Sequence, residues 1–187
     1  KNALNSLTME GKPVRIAKTG YTGEPIGYEL YCNSEDARYF WDRLIELGAK
    51  PTALGARDTT RMEAALPLYG HEMGECEMGG EIQIYAVPLA KFAVSFDEAK
   101  GDFIGREPLK KQFEALKKIM NRDYSSIEDL PYRIQPIYLE GKGVLRKGFP
   151  IYCKDAWAEG KQIGYVTSGT MIPYYKTEGQ GLESVFT

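Results

Sequence analysis

A glutamate directly after a glycine-rich segment is the first group in this sequence that could recognise a ligand. The segment KTGYTGEPIGYEL, residues 18–30, contains three glycines within eight positions, and glycine permits tight turns and a close approach of the backbone to a ligand. Residues 28–32 alternate in polarity and predict a short strand. On that strand Glu29 is expected to point away from the apolar face to which Leu30 belongs.

Two interpretations of Glu29 remain open at this point. A carboxylate fixed on a strand beside a glycine loop can accept two parallel hydrogen bonds from a planar donor edge, such as a guanidinium or an amino-pyrimidine. A surface hairpin with a solvated glutamate would have the same local sequence, because glycine turns are common. The loop alone favours the surface hairpin.

Two arginines form the second group of interest. Residues 56–66, ARDTTRMEAAL, lack helix breakers and predict a helix. Arg57 and Arg61 are four positions apart and therefore share a helix face. They form either an anion clamp or half of a salt-bridge network, because Asp58 and Glu63 are close enough in sequence to neutralise them.

The histidine and the cysteines show no pattern of a catalytic or metal site. His71 is the single histidine, it lies in a predicted loop, and no candidate nucleophile adjoins it in sequence. Cys32, Cys76 and Cys153 are far apart and form no CxxC pair. Neither a zinc site nor a disulfide framework is predicted, and the cysteines are expected to be ordinary thiols of a reducing compartment.

Composition excludes several classes of partner. The 187 residues carry a formal charge of −2 at pH 7, so no basic surplus is present to attract nucleic acid or an anionic membrane. No apolar run approaches the ~20 residues that a membrane-spanning helix requires. The sequence therefore predicts a protein without nucleic acid or membrane among its partners.

The order of predicted elements indicates an α+β fold. Residues 1–13 are polar and turn-rich, and the first part of the chain then alternates strands with amphipathic helices. The expected strands and helices of this part are 14–18, 28–32, 37–47, 56–66 and 91–96, followed by a tight connection at 102–107 into a helix that ends at about residue 120. In the first helix of this set, residues 37–47, Phe40 and Trp41 are expected to pack in the core.

The texture changes after a charged stretch that runs from residue 117 to residue 129. Short β-branched or aromatic segments separated by glycine-rich turns follow, namely 132–139, 149–153 and 162–167. We therefore expect a mixed α/β domain over residues 1–120. Over residues 121–187 we expect a small antiparallel β-barrel or jelly-roll module that is incomplete in this sequence.

Five sequence blocks, taken in order, resemble the aminomethyltransferases of the glycine cleavage system, the folate-binding T-protein family. They are TGYTGEPIGYEL at 19–30, LGARDTTRMEAALPLYGHEM at 54–73, KGDFIGREPL at 100–109, GKGVLRKGFPI at 141–151 and IGYVTSGTMIP at 163–173. The resemblance runs over nearly the whole chain and corresponds to the C-terminal half of a family member. It implies that residues 1–120 belong to a folate-binding domain and that the last domain is a β-barrel.

The resemblance also implies roles for individual residues. Glu29 matches the family's pterin-binding glutamate, and Arg57 matches an arginine of the folate site. Tetrahydrofolate is then the co-substrate, and the lipoyl-bearing carrier protein of the glycine cleavage system is the partner. The family's catalytic aspartate belongs to an upstream segment, so we expect no catalytic residue and no metal ligand in this chain, and no turnover by this chain alone.

The implied reaction transfers an aminomethyl unit from the lipoyl arm to tetrahydrofolate with release of ammonia, in the cytoplasm or, in a eukaryote, in the mitochondrial matrix. The alternatives are a folate-dependent methyltransferase or demethylase of the same family and a folate-binding module without chemistry. Family members that maintain iron–sulfur proteins carry a cysteine in a glycine and tyrosine motif, which none of the three cysteines matches.

Overall fold

A computed structural model of the protein describes residues 3–155 and 159–170, together with the backbone of 177–178 and 185–186. The chain divides into two compact units. Unit 1 contains residues 1–66 with 171–187, and unit 2 contains residues 67–170. The mixture of helices and strands confirms the predicted α+β class.

Unit 1 is built on a three-stranded antiparallel sheet in the order β1-β2-β3. Its strands are β1 (Leu4–Met9), β2 (Lys12–Ala17) and β3 (Glu29–Cys32). Both residues between β1 and β2 have positive φ, +51° at Glu10 and +80° at Gly11, as a tight two-residue hairpin turn requires. The prediction of a turn-rich segment over residues 1–13 was therefore wrong for β1.

The side chains of β3 alternate as predicted. Glu29 and Tyr31 are exposed, whereas Leu30 and Cys32 are half-buried. On the neighbouring strand Val14 is buried, and it is the register partner of Cys32. The apolar face of the sheet therefore packs inward, and Glu29 lies on the opposite face.

The glycine loop between β2 and β3 closes on itself at its base. A Cβ atom added to Gly27 would lie 3.1 Å from the carbonyl oxygen of Thr19 and 3.6 Å from the Cα of Gly20. Two glycines thus permit the close backbone approach that narrows the neck of the loop. Farther along the loop, Gly23 packs against Ala64, whose Cβ would lie only 2.3 Å from a Cβ at residue 23.

Helix α1 (Ala37–Glu46) follows β3 after a short 3-10 turn (Ser34–Asp36). Asp36 makes no capping hydrogen bond to the helix; it is buried and forms an ion pair with Lys12 of β2. This pair fixes the start of α1 to the sheet. Phe40 is buried as predicted, but Trp41 is 53% exposed. The prediction that both rings pack in the core was therefore wrong for Trp41.

Helix α2 (Leu54–Glu63) ends three residues earlier than the sequence predicts. The amide of Leu66 donates to the carbonyl of Arg61 at 2.8 Å, and the amide of Ala65 donates to the carbonyl of Met62 at 2.9 Å. These two bonds form a Schellman cap, in which the residue after the helix adopts positive φ. Ala65 holds that conformation with φ of +53°, a position that glycine usually occupies.

The core of unit 2 is built from a long helix and from the segments before and after it. Its helices are α3 (Ala90–Ala93) and α4 (Arg106–Met120), and its first strand pair is β4 (Gly74–Glu75) with β5 (Glu81–Ile82). The buried cluster comprises Cys76, Ile82, Tyr85, Ala86, Ala90, Ala115, Leu116 and Leu130. The end of α4 at Met120 is as predicted.

The strand predicted over residues 91–96 is wrong. Its first half belongs to α3, which begins at Ala90 with Leu89 as its N-cap residue. Val94 then follows with an extended backbone, and Val94 and Phe96 both pack against the core. Their alternation with exposed residues imitates a strand, but no strand of the described residues pairs with them.

The last part of the chain contains two antiparallel strand pairs. β6 (Pro150–Tyr152) pairs with β7 (Gln162–Tyr165), and β8 (Thr177–Glu178) pairs with β9 (Val185–Phe186). Residues 132–139 form no strand in the structure. No closed barrel forms among the described residues, so the barrel or jelly roll and the domain limits at residues 120 and 121 stay predictions.

None of the helices in the described part of the chain combines the length and the apolar character required to cross a membrane.

The cap of α2 predicts a stabilising substitution. Ala65→Gly should raise the free energy of unfolding by about 0.5–1 kcal/mol, because glycine adopts positive φ without the steric cost that a Cβ atom imposes. The matched control is Gly48→Ala after α1, where φ is +96° and no atom lies within 4 Å of an added Cβ. Chemical denaturation should show stabilisation by the first substitution and destabilisation by the second; the same sign for both would contradict the assignment.

The glycine loop predicts a contrast between two glycines. Gly23→Ala should destabilise the protein by about 1–3 kcal/mol, because the new methyl group would overlap the side chain of Ala64 at a residue with φ of +83°. Gly20→Ala should cost less, because its added Cβ would approach no atom outside its chain neighbours closer than 3.7 Å. Thermal unfolding of both variants checks this order, and an equal loss would show that the loop does not pack against Ala64.

Candidate functional site

The exposed face of the three-stranded sheet carries an open groove of about 510 Å³. This volume lies within the range of roughly 300–1,000 Å³ that small-molecule sites occupy. The lining residues are Leu4, Arg15, Ala17, Thr19, Glu29 and Tyr31. They come from all three strands and from the start of the glycine loop.

The register of the strands brings these side chains together. Ala17 is the register partner of Glu29, and Arg15 is the partner of Tyr31. On the other side of β2, Leu4 is the partner of Ala17. Since directly paired residues point to the same face of a sheet, the lining residues of the strands form one continuous surface.

The carboxylate of Glu29 is oriented by two hydroxyl groups. Thr19 donates a hydrogen bond to Oε2, and the Tyr31 hydroxyl donates a long bond of 3.4 Å to the same oxygen. Oε1 accepts no hydrogen bond from the described residues, and Glu29 forms no ion pair with them. Among the described residues Oε1 therefore has no hydrogen-bond donor, and Oε2 accepts the Thr19 bond together with a long Tyr31 bond that a stronger donor could replace.

The groove has the chemistry for a flat ring with hydrogen-bond donors along one edge. The carboxylate can accept two parallel N–H bonds from such an edge. Ala17 has a small side chain and, with Leu4, contributes apolar surface next to the carboxylate. An amino-pyrimidine ring has such N–H donors along one edge, and the pterin of a folate contains this ring.

Sequence reasoning missed the three polar lining residues other than Glu29, namely Arg15, Thr19 and Tyr31. The period of two in β2 and β3 was a sufficient signal for two of them, because it assigns Arg15 and Tyr31 to the same face as Glu29. Thr19 lies beyond the end of β2, so its contact with Glu29 depends on the path of the glycine loop.

The two arginines of α2 have different environments. Arg61 is 2% exposed and forms an ion pair with Asp58 at 2.6 Å. It also donates a hydrogen bond to the carbonyl of Leu66 at 3.1 Å. Its side chain therefore supports the end of the helix, as the salt-bridge interpretation predicts.

Arg57 is exposed, and its side chain makes no hydrogen bond or ion pair with the described residues. It is not among the residues that line the groove beside Glu29. The structure therefore leaves the guanidinium available to a ligand but does not bring it together with Glu29 in that groove.

A second polar cluster lies within unit 2. His71 Nδ1 is 3.0 Å from the hydroxyl of Ser168, and the hydroxyl of Thr167 donates to the buried carboxylate of Glu72 at 2.7 Å. Lys147 donates to the carbonyl of Gly70 at 2.8 Å. These bonds connect the loop after α2 with Lys147 and with residues 167–168, which lie 77 to 97 positions later in the sequence. Sequence spacing could not reveal these contacts.

Two core tyrosines of unit 2 remain neutral. Burial raises the pKa of Tyr85. Burial, followed by a hydrogen bond with Cys76, raises the pKa of Tyr165 to about 12. The Tyr165 hydroxyl accepts a hydrogen bond from the amide of Glu77 at 3.2 Å. Both phenols are therefore structural groups rather than bases at neutral pH.

The cysteines and acidic residues form no cluster of the kind that binds metal. No group of three or more histidine, cysteine, aspartate or glutamate side chains in the described ranges could hold an ion. Cys32, Cys76 and Cys153 are free thiols.

Comparison with known proteins shows what this sequence is similar to. Residues 2–86 match the model of the GCVT N-terminal domain. This range includes the sheet, the glycine loop, the groove and α2.

Curated relatives extend the match beyond that domain. The aminomethyltransferase of Halalkalibacterium halodurans is 38% identical over 92% of this chain and 41% of its own length. The aminomethyltransferases of Staphylococcus saprophyticus and Bacillus mycoides are 39% and 38% identical over 87% and 92% of this chain. The chain spans about two fifths of the length of these relatives. On these matches the predicted resemblance to aminomethyltransferases is confirmed, with residues 2–86 matching the GCVT N-terminal domain.

Proposed function

We propose that this chain is the folate-binding portion of a tetrahydrofolate-dependent aminomethyltransferase of the glycine cleavage system. Its site would hold the pterin ring of tetrahydrofolate in the groove beside Glu29. The relatives named above carry the name aminomethyltransferase, which supports this class of reaction. The lipoyl-bearing carrier protein would deliver the one-carbon unit, in the cytoplasm or in the mitochondrial matrix of a eukaryote.

Tetrahydrofolate supplies N5 and N10, which become bonded to the methylene carbon while ammonia and the lipoyl thiol leave with the two displaced protons. The residues of this chain bind and orient; none of them is proposed as catalytic. Holding reactants in the geometry of attack can supply a large part of a rate enhancement. Glu29 would fix the ring so that N5 faces the incoming carbon.

The observation that carries the proposal is the state of the Glu29 carboxylate. It lies in an open groove, two hydroxyl groups orient it, and no cation among the described residues neutralises it. A solvated surface glutamate needs neither the groove nor the Thr19 hydroxyl beside it. Held carboxylates with an open oxygen are suited to recognise N–H donors in a ligand.

Substitution of Glu29 tests the proposal directly. Glu29→Gln should weaken tetrahydrofolate binding to the intact protein by about 1.5–3 kcal/mol, because a charge-assisted hydrogen bond is replaced by a neutral one and an amide N–H faces the donor edge. Anaerobic calorimetric titration measures the affinity. Glu24→Gln, an exposed change in the same loop outside the groove, should leave affinity unchanged. Unaltered binding by the Glu29 variant would overturn the proposal.

Arg57 gives an independent test. We propose that its guanidinium supplies positive charge to the folate, so Arg57→Ala should weaken tetrahydrofolate binding by about 0.5–1 kcal/mol without changing the melting temperature. Arg61→Ala should instead lower the free energy of unfolding by about 1–3 kcal/mol, because it removes a buried ion pair and a hydrogen bond. A loss of stability in the Arg57 variant would assign that side chain a structural role.

A further inference from the structure

We propose that Arg15 is a second recognition residue of the groove and reads a carbonyl oxygen on the ligand ring next to the edge that Glu29 binds. The ligand class is then a 2-amino-4-oxopyrimidine ring. For the pterin this inference rests on the proposed function, and it adds a residue that selects the 4-oxo form over a 4-amino form.

The sheet geometry brings Arg15 within reach of the ring. Arg15 is two residues before Ala17, which is the register partner of Glu29. Arg15 and Glu29 are therefore diagonal neighbours on one face, a relation that separates their backbones by about 7–8 Å and permits long side chains to interact. Both side chains line the same groove.

The guanidinium of Arg15 is available for a ligand. Arg15 is exposed, and its side chain forms no hydrogen bond or ion pair with the described residues. Two carboxylates that contact or pair with β2 have other partners. Asp36 pairs with Lys12, and Glu29 accepts hydrogen bonds from Thr19 and Tyr31. The groove thus presents one fixed acceptor and one unpaired cationic donor side by side.

This pair of groups complements one edge of a 2-amino-4-oxopyrimidine. The ring carries two N–H donors, at the 2-amino group and N3, followed by an acceptor at the 4-oxo group. A carboxylate can bind the two donors and an adjacent guanidinium can donate to the oxygen. A 4-amino ring would present a donor to the guanidinium and, because its N3 carries no proton, an acceptor to the carboxylate, so both residues disfavour that ring.

Guanine has the same edge as a pterin. The hydrogen bonds proposed for Arg15 and Glu29 could therefore be made with a reduced pterin or with a guanine nucleoside. The position of the groove in a domain that matches the GCVT N-terminal model favours the pterin. Guanosine consequently belongs among the ligands of the test.

The experiment measures dissociation constants of the intact protein for tetrahydrofolate, its 4-amino analogue and guanosine by anaerobic calorimetry. The unsubstituted protein should prefer the 4-oxo to the 4-amino ligand by about 10- to 100-fold, the range expected for a hydrogen bond to a charged group. Arg15→Ala should reduce this preference and leave the part that the N3 proton contributes through Glu29. Arg15→Gln retains a neutral N–H donor and should retain part of it.

Two comparison variants separate the possible causes. Arg38→Ala removes a positive charge from an exposed site of α1 and should leave the preference unchanged. Glu29→Gln should weaken both folate ligands and is the test of the proposed function. If the Arg15 variants weaken both ligands equally, or change neither, the role of Arg15 is overturned while the pterin site remains.

Tight guanosine binding that depends on Arg15, with weak tetrahydrofolate binding, would support the reading of the ring edge and overturn the proposed function. Absence of binding for all three ligands would overturn both. Unchanged melting temperatures of the Arg15 variants are expected from the exposure of this side chain.

Discussion

The register between β2 and β3 is the constraint on which the candidate site depends. Because side chains alternate along a strand, a slip of one residue would turn Glu29 toward the apolar face and Leu30 toward solvent. The observed pairing of Val14 with Cys32 instead buries apolar side chains on one face. Packing of the core and exposure of the carboxylate are thus two results of the same pairing.

The glycine loop connects this sheet with helix α2. Its narrow neck allows the chain to leave β2 and return as β3 with Thr19 beside Glu29, and its contact at Ala64 fixes it against the end of the helix. At that end Arg61 is committed to Asp58 and the backbone, which leaves Arg57 as the exposed cation of the pair. Two residues of one type on one helix thus differ in burial, and only Arg61 has a structural role in the described contacts.

Local patterns predicted the elements that bear the site, and long-range packing decided the rest. The alternation around Glu29 sufficed to assign its face, and helical spacing located α1 and α4. Spacing could not separate Arg57 from Arg61, because both lie on one face and only burial distinguishes them. β1 was missed because its sequence does not alternate, and the strand over residues 91–96 failed because a helical turn replaces its first half.

The burial of the Glu72 carboxylate has a consequence for the design of recombinant fragments of this protein. It is 6% exposed, and one of its hydrogen bonds comes from the hydroxyl of Thr167, in a part of the sequence that a local description would assign to a different module. Polypeptides ending near residue 120 would lack that hydroxyl while retaining the acid. The Glu72 carboxylate would then lose one of its hydrogen-bond donors, so recombinant pieces of this protein are better designed around residues that contact each other than around apparent changes in sequence texture.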